Sequence, residues 1–289
     1  MNFKKLPKSE EAAILFLQSK NILPTNKICA NGHNMKLSIG RQIRWRCNKS
    51  TCRSEVKLRV GTWLEGSRIP FVTILEFIYC WAFEYTSGTF CERELEIDKS
   101  TTVDWNNYLR CICVDHLISK PHKFIGGDDM IVEIDESLFT KRKSNAGRVL
   151  PQQWIFGGLC RESNECFLVQ VPDRSAKTLM AEIEKHISPG TIIFSDSWKG
   201  YKHEELEEAG FSHFTVNHRY HFVDPKTGAN TQKIERLWGS AKWRNKKHRG
   251  TARHHLESYF AEFMCRQEAK EENFFEWICK QIAEIWPPK

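Results

Sequence analysis

The chain has 289 residues, 40% hydrophobic and 12% aromatic, with 43 Lys+Arg, 36 Asp+Glu and a formal net charge of +7. That supports a sizeable core and two or three domains, and it excludes a disordered chain. Eleven cysteines in so long a chain, with no apolar signal segment after MNFKKLPKSEE, argue for a reducing compartment and against a secreted disulfide framework.

The first predicted element is a helix from Glu10 to Ser19. Pro24 then leads to CANGHNMKLSIGRQIRWRCNKSTC, where Cys29 and His33 form one close pair and Cys47 and Cys52 another, separated by alternating strand-like sequence. Four soft ligands in two pairs suit one structural Zn²⁺ in a tetrahedral site. The alternative is that the cysteines are small core residues and His33 lies on the surface. Residues 1–70 are thus expected to form a zinc-ribbon-like DNA-binding module, with Arg44 and Arg46 among its phosphate contacts.

From 71 to 127 the periodicity is helical. FVTILEFIYCWAF (71–83) is too short to span a bilayer and carries Glu76, so it reads as a core helix, and no membrane partner is expected. A turn, a short helix, a second turn and a longer helix after Lys99 follow, with Ser100, Thr101 and Thr102 as candidate N-caps. The outline is helix-turn-helix-like, although any small helical bundle would look similar. Lys99, Thr101 and Thr102 are the candidate DNA contacts at the second helix. The remaining eight cysteines, Cys111 included, are assigned to packing.

Charge supports this division. Residues 1–127 hold 19 Lys+Arg against 12 Asp+Glu, and residues 128–289 hold 24 of each, so the excess lies in the first part and points to an anionic partner. A second basic run, residues 226–253, contains nine Lys or Arg and one acid, Glu235. Tryptophans interleave both regions. Double-stranded DNA is the expected partner.

After Gly126-Gly127 the pattern becomes MIVEIDESLF (130–139), QWIFGGLC (153–160) and CFLVQV (166–171), three successive strands. A helix (175–187), a strand TIIFSD (191–196), a helix, a short strand HFTVN (213–217) and terminal helices from about 231 complete it. Three sequential strands followed by alternating helix and strand predict an α/β domain over 128–289 with a mixed sheet, in ribonuclease-H-like order. Its first and fourth strands should be neighbours. That would bring Asp135 and Asp196 together, with Glu235 carried over them by a packed helix.

Three converging carboxylates repel unless cations bind between them. Hard oxygen ligands suit Mg²⁺ or Mn²⁺, and two such ions would activate a water or 3′-hydroxyl at a phosphodiester. Glu133 and Glu136 compete with Asp135 for this role. On an ideal strand 133 shares a face with 135, and 136 lies opposite; replacement of Glu133 is expected to leave most activity. Lys141, Arg142, Lys143, Arg148, Lys242, Arg244, Lys246, Lys247 and Arg249 are candidate phosphate contacts, the alternative being a solvated basic loop and helix face. His218 and His221 are either polar loop residues or participants in proton transfer or DNA contact. Trp198, Trp238 and Trp243 are assigned to packing, with stacking on a flipped base as the alternative.

Several segments together resemble the Merlin-type transposases, relatives of bacterial transposases with an ISXO2-like domain. They are RVGTWLEGSRIP (59–70), VEIDESLFTKRKSNAGR (132–148), WIFGGLCR (154–161), VPDRSAKTL (171–179), FSDSWKGY (194–201) and TVNHRYHFVDPKTGANTQKIERLWGSAKW (215–243). The resemblance implies a DDE-type, ribonuclease-H-like catalytic domain with Asp135, Asp196 and Glu235 as metal-binding acids. It also implies Cys29, His33, Cys47 and Cys52 as zinc ligands and an N-terminal region that recognises terminal inverted repeats. Asn230 stands where a histidine is expected before TQKIE. Strand cleavage and transfer into target DNA, synapsis by at least a homodimer, and a nuclear location (cytoplasmic if bacterial) follow as expectations. The alternatives are a structure-specific ribonuclease-H-like DNA nuclease and a host-co-opted, non-catalytic DNA-binding protein.

Overall fold

The structure, a computed structural model, describes residues 2–40, 42–139, 153–247 and 255–289, with side chains described only to 243 in the helix that ends at 247. The chain divides into two compact units, Met1–Ile118 with Ala269–Lys289, and Ser119–Glu268. Sequence reasoning separated the zinc-ribbon-like and helical modules near residue 70 and assigned residues 269–289 to the catalytic domain. Here the two modules and that C-terminal segment make one unit.

The first unit opens with α1 (Glu10–Ser19), whose N-cap Ser9 accepts the Ala12 N–H. Three short antiparallel strands follow: β1 (Lys36–Ser38), β2 (Arg44–Arg46) and β3 (Glu55–Lys57). Trp45, buried at the centre of β2, pairs with Leu37 and Val56. Next come α2 (Phe71–Ala82), α3 (Gly88–Glu94) and α4 (Lys99–Ser119). Asp98 caps α4, accepting from the Thr101 N–H and from the hydroxyls of Ser100 and Thr101. The caps expected at Ser100 to Thr102 therefore sit inside the helix they were expected to start. A short helix, turn and longer helix are present as expected. Among the described residues, no helix is long and apolar enough to cross a membrane.

The second unit contains β4 (Ile131–Leu138), β5 (Trp154–Cys160), β6 (Cys166–Val171), α5 (Ala176–His186), β7 (Ile192–Asp196), α6 (His203–Glu208), β8 (Ser212–Val216), α7 (Gln232–Lys247) and α8 (Leu256–Glu268). The sheet runs β6-β5-β4-β7-β8. β4, β5 and β6 form an antiparallel meander, and β7 and β8 add in parallel beyond β4. The order is the one predicted, because a meander followed by crossover helices leaves β4's far edge for β7. The carboxyl ends of two adjacent parallel strands, β4 and β7, consequently lie side by side.

Alternation along the strands supplies both faces of the sheet. Val132, Ile134, Phe156 and Phe167 pack with Leu179 and Ile183 of α5. On the other face Ile155, Leu159 and Leu168 pack with Ile234, Leu237 and Trp238 of α7 and with Leu256 and Phe260 of α8. Gly157 lies directly across from Asp135. A Cβ at 157 would stand 2.9 Å from the Trp238 ring and 2.8 Å from Leu168, so this glycine is what lets the indole lie against the strand beside Asp135.

The chain then returns to the first unit as α9 (Phe274–Ile285), which buries Phe275, Ile278 and Ile282. Phe275 stacks on Phe16 of α1, and Trp277 meets the His116 ring of α4 edge-on.

Candidate active site

Burial is the first fact about the carboxylates of VEIDES. Glu133 is fully buried and fully engaged. It accepts from Arg161 Nε at 2.6 Å and from the backbone N–H of Ile234 at 2.9 Å, which lies in the first turn of α7. Arg161 also donates to the carboxamide and backbone oxygens of Asn230, at 2.7 and 3.0 Å, and its guanidinium lies over Phe194. A carboxylate at a helix N-terminus is favourable through the helix dipole, and here its charge is also neutralised by an arginine. Glu133 therefore fixes where α7 begins. The sequence reading, which expected its replacement to leave most activity, gave it no such structural part.

Asp135, on the same face as predicted, makes the second tie: Trp238 Nε1 donates to its Oδ2 at 2.9 Å. α7 is thus fastened to β4 at Ile234 and at Trp238. Glu235 sits on the segment between those two fixed points. Its carboxylate accepts from Thr231 Oγ1 at 3.1 Å and lies 3.4 Å from His218 Nε2, which itself meets Thr231 Oγ1 at 2.8 Å. His218 is therefore not a detached loop residue.

Asp196 closes β7. The last paired residues of the parallel ladder are Glu133 and Phe194, and Asp135 and Asp196 each stand two residues further along. Asp196 Oδ1 accepts the Trp198 N–H at 2.9 Å, fixing the turn that follows. Burial, then the charges of Glu136 and Asp196, push the Asp135 carboxyl up to about 7. Burial and Asp196 also push Glu136, on the opposite face, up to about 7, against a lowering pull from Tyr201 and Arg174. Tyr201 is buried among these acids; neither its hydroxyl nor Glu136 Oε1 has a hydrogen-bond partner of normal geometry. In this set the acids outweigh the one cation named, Arg174. Divalent cations with oxygen preference fit it.

Asp135, Asp196 and Glu235 are not closed into a tight cage. Among the described residues, the group of three or more His, Cys, Asp or Glu ligand atoms within 4.8 Å of one another is Cys29, His33, Cys47 and Cys52. There Cys29 Sγ lies 4.0 Å from Cys47 Sγ and 3.6 Å from Cys52 Sγ, and His33 Nδ1 lies 3.6 Å from the sulfurs of Cys29 and Cys47. Zn–S bonds of about 2.3 Å at tetrahedral angles separate ligands by about 3.8 Å, so these four atoms fit one zinc ion. Two turns present them: the Cys29 N–H donates to His33 O, and the Cys47 N–H donates to Ser54 O. Ser54 hydroxyl and backbone contacts, with His33, lower the Cys52 thiol to about 5, which favours the thiolate a metal needs.

The other expected contacts fare unevenly. Arg44 and Arg46 both pair with Glu55 across the small sheet. Lys99 pairs with Glu92 at 3.2 Å. Thr102 is buried and its hydroxyl donates to Asp98 O, so it packs inside its unit. Lys242 donates to Ser137 and lies over Phe139. Lys141, Arg142, Lys143, Arg148 and Arg249 lie outside the described residues, as do the side chains of Arg244, Lys246 and Lys247. Of the cysteines assigned to packing, Cys111 is exposed on α4, contrary to expectation, and Cys166 is half-buried. Trp198 is not simply packed either: it and Trp154 flank the guanidinium of Arg174, at 3.8 and 4.7 Å. Arg174 and Tyr201 lie in VPDRSAKTL and FSDSWKGY, and sequence reasoning passed over both.

An α/β unit with paired acids at adjacent carboxyl strand ends is the layout of enzymes that work at the edge of a parallel sheet. The chain belongs to the ISXO2-like transposase domain family, whose pattern matches residues 122–268. A protein of Haemophilus influenzae (strain ATCC 51907 / DSM 11121 / KW20 / Rd), described as an uncharacterized transposase-like protein, is 31% identical over 96 residues, 33% of this chain and 75% of that protein. Among solved structures, the catalytic core domain of BIV integrase aligns with a TM-score of 0.33 and 12% identity, covering 47% of this chain and 81% of that one. The HTLV-2 integrase catalytic core domain in complex with magnesium aligns with a TM-score of 0.32 and 9% identity, covering 50% and 87%. Likeness at that level is slight, and the strand order itself carries the fold.

Three outcomes are expected. Glu133→Ala strands Arg161 beside the start of α7 and should destabilise the second unit by about 3–5 kcal/mol in chemical denaturation; a loss below 1 kcal/mol would remove the clamp. Raised carboxyl groups make the metal-free protein lose stability as pH rises from the ordinary carboxylate range near 4 through about 7, because the folded state holds those protons more tightly. Thermal melts should show that loss flattened in Asp135→Asn/Glu136→Gln, and reversed by Mg²⁺ at the alkaline end. Elemental analysis should find one zinc per chain, and Cys47→Ser should lose it together with first-unit stability.

Proposed function

We propose that this chain is a DNA transposase of the DDE type: it binds the terminal inverted repeats of its element, cleaves strands there with divalent metal, and joins the freed ends to target DNA. One observation supports this above the rest. Two ties from α7 to β4, Glu133 to the Ile234 N–H and Asp135 to Trp238, bracket Glu235 on the helix beside the strand that carries Asp135, and β7, which ends in Asp196, is that strand's parallel neighbour.

Asp135, Asp196 and Glu235 would hold two Mg²⁺ or Mn²⁺ ions, which when bound supply an activated water or 3′-hydroxyl and stabilise the leaving oxygen. The protein's own part is placement. Trp238 orients Asp135, the Trp198 N–H orients Asp196, and Thr231 with His218 orients Glu235. Cys29, His33, Cys47 and Cys52 would hold one structural zinc, which braces the first unit for binding double-stranded DNA ends. Arg174, clasped by two indoles, is set to meet a phosphate without losing side-chain freedom on binding. Joining two ends to one target needs at least two copies of the chain.

The test is cleavage of labelled DNA carrying the element's end, with Mg²⁺. Asp135→Asn should lower cleavage by three orders of magnitude or more, about 4 kcal/mol of barrier, while folding and end binding persist. Substantial cleavage by that variant would remove the assignment. Equal cleavage of DNA without the repeat would favour a structure-specific nuclease.

A further inference from the structure

The segment between β8 and α7 carries exposed aromatic surface that the proposed chemistry does not use. Tyr220 is 71% exposed and Phe222 74%, with Val223 beside them at 44%. Among the large hydrophobic side chains of the described residues only Ile118, at 76%, is barer than these two rings. They are held on a hydrogen-bonded frame. Asn217 O accepts the N–H groups of Tyr220 and His221, and the Asn217 carboxamide accepts that of Arg219. Further on, Asp224 accepts from Lys226, Thr227 and the Thr227 hydroxyl, with Gly228 at φ +72° closing the turn.

The same segment adjoins the candidate active site, since His218 at its start is linked through Thr231 to Glu235. Its charge is positive: residues 217–233 hold Arg219, Lys226 and Lys233 against Asp224 alone, and Asp224 is engaged in its own turn. Aromatic rings flanked by Arg219 and Lys226 suit stacking of bases beside a phosphate backbone. A duplex hides the faces of its bases, so the ligand must be DNA whose bases are already, or are made, unpaired.

We propose that Tyr220 and Phe222 form a stacking site for unpaired bases next to the phosphate that is cut. This rests on the transposase reading of the neighbouring acids, and it adds a ligand class and two residues to it. By capturing splayed bases the loop would favour melting of the DNA at the strand end, so that the backbone can bend into the pocket of Asp135, Asp196 and Glu235.

The experiment uses the full zinc-loaded chain with Ca²⁺ in place of Mg²⁺, and compares binding to two fluorescent duplexes of one sequence, one fully paired and one with a short central mismatched tract. The natural chain should bind the mismatched duplex about fivefold or more tightly, the least that one stacked base contributes. Tyr220→Ala/Phe222→Ala should bind both duplexes alike, at the affinity of the natural chain for paired DNA, with an unchanged melting temperature. Tyr220→Phe should keep the preference. The proposal is overturned if the natural chain shows no preference, if the double variant retains it, or if the double variant changes only the oligomeric state, which would make this face an interface between copies. Mg²⁺-dependent cleavage measured on the same duplexes reports the catalytic reading separately: no cleavage with the preference intact would remove that reading and leave the stacking site standing.

Discussion

A buried carboxylate holding the first turn of a helix is the contact on which the second unit depends. Glu133 lies on the central strand, wholly out of water, and an ionised group there survives only because Arg161 and the Ile234 N–H meet it. The geometry that results is specific. A hydrophobic residue at 133 could pack against α7, yet it would let the helix slide or rotate along its apolar stripe. A charge with directional partners does not permit that freedom. Because Asn230 completes the arginine's coordination, the loop before α7 is registered as well, and with it Thr231 and His218.

Strand geometry puts the neighbouring acids to opposite uses. Glu133 and Asp135 face α7, the first neutralised by a cation and the second tied to an indole, whereas Glu136 faces Tyr201 and Arg174. Asp135 and Glu136 carry charge into a dry place without an adequate counterpart, and both respond by holding their protons more tightly. The paired carboxylate of this strand and the two that hold their protons more tightly are thereby distinguished by their partners. Residue type alone does not separate them.

The sheet order, the adjacency of the first and fourth strands of the second unit, and the four-ligand cluster were legible because each follows from local spacing: period-two alternation, a meander, two pairs of soft ligands. β6 (Cys166–Val171) matches its predicted bounds, and α1 (Glu10–Ser19) does too. What sequence could not supply was partnership at long range. Glu133 looked like a competitor of Asp135 because nothing local ties it to Arg161 or Ile234, 28 and 101 residues away. Thr102 looked like a cap because Asp98, one residue outside the expected start, captures the hydroxyls and N–H groups that a cap would serve. Tyr201 and Arg174 carried no motif logic of their own and gained meaning only from the side chains around them.

The path of the backbone has its own outcome for how the molecule is made. α9 contributes Phe275, Trp277 and Gln281 to the unit that begins at the amino terminus, while 150 residues of the other unit intervene. During synthesis the intervening unit is complete on the growing polypeptide before the outer one can close, since the latter waits for residues near 285 to leave the ribosome. The zinc-ligand module therefore spends most of translation without its last helix, and a nascent chain released early would carry a finished sheet domain joined to an unfinished partner.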